Sequence, residues 1–324
     1  MRGNSIEISV RGKWINVPAV EISDKTVVVT GKWIKTATIH DDLWHEGELE
    51  DPDGFIGELK DLAVNGFKSD IFVFGQKFPL TKAKHPYHME WDNVAAIRVI
   101  SFKDWWAGLS QETRRNVRMA EKRGVVARVT EFNDALIKGI VEINNEAPLR
   151  QGRPFSHYGK SHDAVRKDYQ SFSERSVFIG AYLGEELIGF LKIVYLGEVA
   201  AIMQLLLKMS HYDKRAANAL IAKAVEHCEK LDMKHLTYCK YRYGKKHKSP
   251  LTEFKRRNGF EEVPVPLFYV PLTAKGRIAI ALRLHRSLVD LLPEGLIEVL
   301  LNLRTRWCEW RLTSGRHIGE GRCS

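Results

Sequence analysis

Apolar and polar positions recur along this chain in two periods, and the clearest change of period falls between Ala201 and Gly244. The run Ile202–Leu207 is short, apolar and closed by polar residues, the pattern of a buried strand. Ala217, Leu220, Ile221, Ala224, Val225 and Cys228 then follow one helical stripe, with Lys223, Glu226, Glu229 and Lys230 off it. His235–Lys240 reads as a second strand. Such a strand–loop–helix–strand unit aims the start of its helix at whatever sits above the strand end. The unpaired N–H groups there suit a phosphate. The loop carries Lys214 and Arg215, then small residues at Ala216, Ala217 and Ala219.

The same reading divides the chain into three regions. In the first, strands are expected at Ile6–Val10, Thr26–Thr30 and Trp33–Ile39, the last two joined at Gly31-Lys32. DPDGF (51–55) reads as a turn, Ile56–Asn65 as a helix, and Ile71–Phe74 and Ala95–Ile100 as strands. HPYHMEWD (85–92) reads as a loop or edge strand. No carboxylate–histidine motif accompanies His85 and His88, so they read as hydrogen-bonding loop residues rather than metal ligands. Leu109–Arg123 is a charged helix ended by Gly124. Arg115, Arg118 and Lys122 share one of its faces, either solvated or turned to an anion.

The second region alternates regularly: strand Val125–Thr130, helix Asn133–Asn145, a polar loop, helix Asp163–Phe172, then strands Ser176–Tyr182, Glu186–Leu196 and Glu198–Leu207. Gly-Glu pairs make the turns between those strands. The unit described above comes next, then helix Pro250–Arg257, an Asn258-Gly259 stop and a closing strand whose prolines mark it as an edge. The last region reads as helical and is divided by Pro293. Leu296, Leu300, Leu303, Trp307 and Trp310 form a stripe flanked by Arg304, Arg306 and Arg311. The stripe is expected to pack on the protein's own body; the other reading is peripheral contact with a membrane surface.

Composition narrows the class. A chain of 324 residues, 44% apolar and 28% charged, fits about two globular domains. It shows no signal-peptide pattern and no apolar run long enough to span a bilayer. Its four cysteines lack metal-ligand spacing, and Cys228 lies on a helix stripe as a core residue. The expectation is a reduced, cytoplasmic protein with no metal. The net charge of +10 permits anionic partners without choosing among them. There is no RNA-recognition signature or zinc-finger spacing.

LSQETRRNVRMAEKRGVVARV (109–129) resembles the Arg-Asn-x-x-Arg-x-Ala-x-x-x-Gly-Val signature of FemAB-like proteins. LTEFKRRNGFEEVPVPLFYVPLT (251–273) resembles their closing segment, with its Phe-Lys, Asn-Gly-Phe and Tyr-x-Pro-Leu-Thr pieces. The element order of the second region is similar to the GNAT acyltransferase layout. The resemblance covers about 90–275 well and 1–90 loosely. It implies an α/β fold of two tandem GNAT-like domains, each a mixed central sheet flanked by helices, at 1–124 and 125–272, with a helical tail at 273–324. It also implies N-acyl transfer from acyl-CoA to an amino group of a sugar, peptidoglycan-type or small amine acceptor. Two other readings stay open. One is aminoacyl transfer from a charged tRNA, against which the lack of a long helical arm counts. The other is an inactive GNAT-fold module that binds a glycan or a protein.

The resemblance also places a site. GNAT proteins hold the donor pyrophosphate on a Gln/Arg-x-x-Gly-x-Gly/Ala loop, matched here by Lys214, Ala217 and Ala219, with Arg215 and Asn218 between them. Both glycines are missing. Alanine resists positive φ, so either the loop is reshaped or the donor is not CoA. The backbone of Leu205, Leu206 and Leu207, after Gln204, would donate to the acyl carbonyl. Tyr238, Tyr241 and Tyr243 stand where a tyrosine acid is often found. The loop 150–158 lies where the acceptor enters; Arg150 and Arg153 could fork onto a carboxylate or phosphate, beside Gln151, His157 and Tyr158. Glu198 is the candidate base. Its even spacing from Gln204, a candidate acceptor-binding amide, predicts one shared strand face.

Overall fold

The computed structural model describes residues 4–286 apart from 11–12, 65, 151 and 244–248. Its strands are β1 (Asn4–Val10), β2 (Lys13–Ile22), β3 (Lys25–Thr30), β4 (Thr36–Ile39), β5 (Ile71–Gly75), β6 (His88–Arg98), β7 (Val125–Thr130), β8 (Leu149–Arg150), β9 (Arg153–Pro154), β10 (Ser176–Leu183), β11 (Glu186–Leu196), β12 (Val199–Leu207), β13 (His235–Thr237) and β14 (Glu261–Pro271). Its α-helices are α1 (Pro52–Val64), α2 (Phe102–Gly108), α3 (Gln111–Lys122), α4 (Asp134–Asn145), α5 (His162–Tyr169), α6 (Ala216–Lys230), α7 (Pro250–Arg257) and α8 (Ala274–Ala281).

Twelve of these strands form one mixed sheet in the order β1-β2-β3-β4-β5-β14-β6-β13-β12-β11-β10-β7, and β8 pairs with β9 apart from it. Two neighbouring pairs are parallel, β4 with β5 and β12 with β13. The α6 stripe buries Leu220, Ile221, Ala224, Val225 and Cys228 against Ile188, Leu191, Ile193, Ala200 and Ile202. Helices α4 and α5 cover the other face, with Ile137, Ile140, Ile143 and Val165 against Phe178, Leu187 and Phe190. Helix α1 covers the first half of the sheet through Phe55, Ile56 and Leu59. Among the described residues no helix is long and apolar enough to cross a membrane.

Several elements differ from the sequence reading, each for a local reason. DPDGF is the start of α1 rather than a turn: the Asp51 carboxylate accepts the Gly54 N–H at 2.9 Å, and Pro52 takes the first helical position. The β3–β4 connection runs over 31–35, with Thr30 opposite Thr36. Five of the eight residues of HPYHMEWD lie inside the sheet, because β6 begins at His88. The closing strand β14 is not an edge: it pairs with β6 over 261–269 and with β5 over 267–271. Pro264 and Pro266 are two apart, so their missing N–H groups face one side, and both precede the stretch that β5 reaches. The tail stripe Leu296–Trp310 lies outside the described residues, as does Gln151.

Candidate functional site

Strands β12 and β13 pair over three residues, Val199 with His235, Ala200 with Leu236 and Ala201 with Thr237, and then part. Two backbone irregularities drive them apart. On β12, Met203 is an extra residue: Gln204 opposes Lys192, while Ile202 opposes Ile193. Such a bulge bends and twists its strand. Beyond β13, Cys239 takes the left-handed conformation at φ 45°. The chain there turns to β6: the Tyr238 N–H donates to Ala95 O at 2.8 Å, and the Ala95 N–H to Cys239 O at 2.9 Å. Past Ala201, no described strand pairs with β12 on this side. The segments Met203–Leu207 and Tyr238–Tyr243 run on from there without pairing, and the gap between them is the candidate cleft. At its apex the Cys239 thiol donates to Ile202 O at 3.7 Å.

Lys255 holds the second wall, and the sequence reading did not single it out. Its side chain is fully buried. Nζ donates to Tyr238 O at 2.8 Å and Lys240 O at 2.5 Å, the carbonyls that flank Cys239. The ammonium lies 4.4 Å from the Tyr238 ring centroid and 5.3 Å from that of Tyr243. Burial lowers its pKa to about 8. The signal that could have found it is helical spacing: Thr252 and Lys255, three apart, are the buried residues of α7. Burial raises the Tyr238, Tyr241 and Tyr243 phenols, Tyr243 to about 12. All three keep their protons at neutral pH and can act as donors. Burial also raises the Cys239 thiol.

At the far end of β12 a short 3-10 turn, Met209–Lys214, leads to Arg215 at φ 59°, and α6 begins at Ala216. The left-handed residue is therefore Arg215. Ala217 and Ala219 are helical and need no glycine, so the expected reshaping reduces to this one residue. The N–H groups of Asn218 and Ala219 turn back to Arg215 O at 3.0 and 3.5 Å. Those of Ala216 and Ala217 meet no partner among the described residues. Lys214 Nζ lies 3.3 Å from the Asp213 carboxylate, and Arg123 lies 4.0 Å from it. Asn218 donates to Asn258 Oδ1 at 3.0 Å and so ties α6 to the end of α7.

The acceptor loop is arranged differently from the expectation. Arg150 is not free to fork onto a ligand. Nη1 donates to Leu207 O at 2.8 Å and Nη2 to Ile143 O at 2.5 Å, while the guanidinium covers Phe155 at 4.1 Å. It pins the end of β12 to the end of α4. Glu146 does the same for the next turn by accepting the N–H groups of Met209 and of Ser210, the latter at 2.8 Å. Burial raises the Glu146 carboxyl, but the hydrogen bonds from Ser210 and Met209 outweigh it and hold the pKa below its ordinary value. Arg153 and Tyr158 are exposed. Burial, with Lys160 beside it, pushes His157 down to about 4, so its ring is neutral at physiological pH.

Glu198 and Gln204 do not share a face. The bulge at Met203 reverses the alternation: Ala200 and Ile202 pack on the α6 side before it, Leu205 and Leu207 after it. Leu206 faces α4 and α5, and Gln204 falls on that side with it. Glu198 is exposed in the turn before β12. The nine residues of β12 separate it from Lys208, about 30 Å at ~3.3 Å per residue. It is therefore remote from the start of α6. Two surface hollows, of about 470 and 530 Å³, lie beside α5 and at the shared end of β7 and β10 next to Tyr169, and neither is lined by residues of the cleft.

Residues 140–247, which include β12, the loop and α6, match the acetyltransferase (GNAT) family. A comparison of the whole sequence with curated proteins finds no match. Among solved structures, the chain is similar to the C-terminal domain of a putative lysylphosphatidylglycerol synthetase from Agrobacterium fabrum, at 11% identity and TM-score 0.55, covering 82% of this chain and 87% of that one. FemX is similar at 9% identity and TM-score 0.55, over 86% and 90%. L-PGS from Bacillus licheniformis is similar at 13% identity and TM-score 0.52, over 90% and 88%. Residues 140–247 thus match the GNAT acetyltransferase family, and the chain shares its overall fold with FemX.

Proposed function

We propose that the protein transfers an acyl group to an amine, with the acyl carbonyl in the cleft between β12 and 238–243 and a donor phosphate at the start of α6. The observation that carries this reading is the parting of β12 from β13 after Ala201, which bares a backbone edge beside protonated phenols. The amine nitrogen attacks the carbonyl carbon. A carbon–nitrogen bond forms and the bond to the leaving thiol or hydroxyl breaks. The N–H groups of Leu205 and Leu207, on the side of β12 away from β11, stabilise the developing oxyanion. Tyr238, Tyr241 or Tyr243 protonates the leaving group, and the amine loses its proton to water. Glu198 is too distant for this role. Lys255 positions the phenols.

Acyl-CoA is the donor in this reading. Lys214, Arg215, Ala217, Asn218 and Ala219 hold its pyrophosphate, and Arg153, His157, Tyr158 and Gln204 face an acceptor of the sugar, peptidoglycan or small-amine type. Both substrates are placed in the cytoplasm. A specific observation favours aminoacyl-tRNA as the second reading: Arg115, Arg118 and Lys122 on α3 are exposed and make no ion pair among the described residues. Helix α3 buries Thr113 and Ala120, so these cations form a solvent-facing basic stripe that suits a polyanion.

The experiment is calorimetry of the full chain with CoA, alongside transfer assays with labelled acetyl-CoA and with aminoacyl-tRNA on amine acceptors. Micromolar CoA binding with acetyl transfer supports the first reading. No binding at millimolar CoA with tRNA-dependent transfer selects the second. No transfer from either donor, with binding to a glycan or protein, overturns both and leaves an inactive module.

A further inference from the structure

We propose that His88, Glu90 and His285 form a site for a divalent metal ion of the zinc type, which clasps the end of the α8 segment onto strand β6. One ring nitrogen from each histidine and a carboxylate oxygen of Glu90 lie within 4.8 Å of one another. His285 Nε2 is 2.9 Å and His88 Nε2 3.7 Å from the same Glu90 Oε1. Three ligands at 2.0–2.1 Å in a tetrahedral arrangement stand about 3.3 Å apart, so both spacings are within a small side-chain adjustment of a filled site. Two imidazoles and one carboxylate suit zinc, and the fourth position stays open to water.

The fold explains why the three meet. His88 and Glu90 are two apart on β6 and so project from one face of the sheet. His285 follows α8 and is brought over that face, with its ring 4.7 Å from the Tyr269 ring of the neighbouring strand β14. The His285 side chain is 3% exposed, whereas that of His88 is 47% exposed, which leaves a path for an ion to enter. His285 Nδ1 is buried and has no partner among the described residues. The ring is therefore held from the Glu90 side and by the Tyr269 contact. The sequence reading set His88 aside as a hydrogen-bonding loop residue, because no local motif joins it to His285, 195 residues from Glu90.

One group opposes the ion. Arg286 places Nε 3.0 Å and Nη2 2.9 Å from Glu90 Oε1. It supplies in the metal-free protein the positive charge that the ion brings on binding. Metal and guanidinium therefore compete for one carboxylate, and that competition gives the proposal a signature that scattered surface histidines would not share.

The test is calorimetric titration and thermal denaturation of the chelator-treated full chain with zinc chloride. The wild type should bind one equivalent more than His88→Ala and melt at a higher temperature with zinc than without. His88→Ala and His285→Ala should each weaken that site at least tenfold. Arg286→Gln should tighten it severalfold. If His285→Ala does not fold, the exposed His88→Ala and Arg286→Gln decide the matter. Equal zinc binding by wild type and His88→Ala, or weaker binding by Arg286→Gln, overturns the proposal.

Discussion

Arg150 shows how far a single side chain can depart from its sequence context. In RQGRPFSHY it reads as a ligand-binding loop residue, yet its guanidinium is spent on two backbone carbonyls. Arg150→Ala should therefore cost about 1–3 kcal/mol, since buried acceptors lose their donor. Arg153→Ala, at an exposed position, should stay within about 0.5 kcal/mol of wild type. Urea denaturation of the two variants separates the roles, and equal stability would refute the pin. Lys192 makes a comparable case in the core. It is fully buried, donates to Tyr169 O at 2.8 Å and Ser171 O at 2.5 Å, and burial lowers its pKa to about 8. The folded pKa lies below the unfolded value of about 10.4. Between them the unfolded chain binds the proton that the folded chain has released, so stability contributed by this group rises with pH. Below pH 8 the cost of the buried charge is present in full. Wild type should gain on Lys192→Met as pH rises from 8 to 10.5. Parallel stability curves for the two proteins would contradict the burial argument.

Elements with a strong period were legible and irregular ones were not. The α6 stripe was read correctly because five of its six positions recur at helical spacing and are buried in the structure. The bulge at Met203 left no trace, since methionine is as apolar as its neighbours in the AIMQLLL run. The left-handed residues gave none either: Cys239 and Arg215 adopt a conformation for which glycine is the usual sequence signal. The cleft walls were therefore located from the resemblance, while the cause of the cleft and the Lys255 brace were not. The start of α6 gives the element-scale prediction. Ala217→Glu puts a carboxylate in the first helical turn, which favours the helix by about 0.3–1 kcal/mol. The same charge repels a bound phosphate. The variant should melt no lower than wild type while its affinity for a phosphate-bearing donor falls at least tenfold. Loss of stability in parallel with affinity, or affinity unchanged, would remove this turn from the donor site.

At the scale of the molecule, strand pairing crosses between the two regions read from the sequence. Strand β14 belongs by position to the second region, yet it lies between β5 and β6 of the first. Strand β6 in turn pairs with β13 of the second. Its prolines made β14 look like an edge, because a strand's neighbours are set by tertiary contacts that composition does not record. The two halves thus complete each other's sheet. A fragment 1–124 would hold β5 and β6 with the β14 position empty between them. A fragment 125–324 would carry β13 and β14 without β6. Such unpaired strand edges are templates for aggregation. Each fragment expressed alone should be insoluble or lack a cooperative melt, and the two expressed together should recover soluble, folded complex. The intact chain should unfold in a single calorimetric transition whose van't Hoff and calorimetric enthalpies agree. Two resolved transitions, or one fragment soluble with a sharp melt of its own, would mean that the shared strand contributes little and that the halves are separable domains.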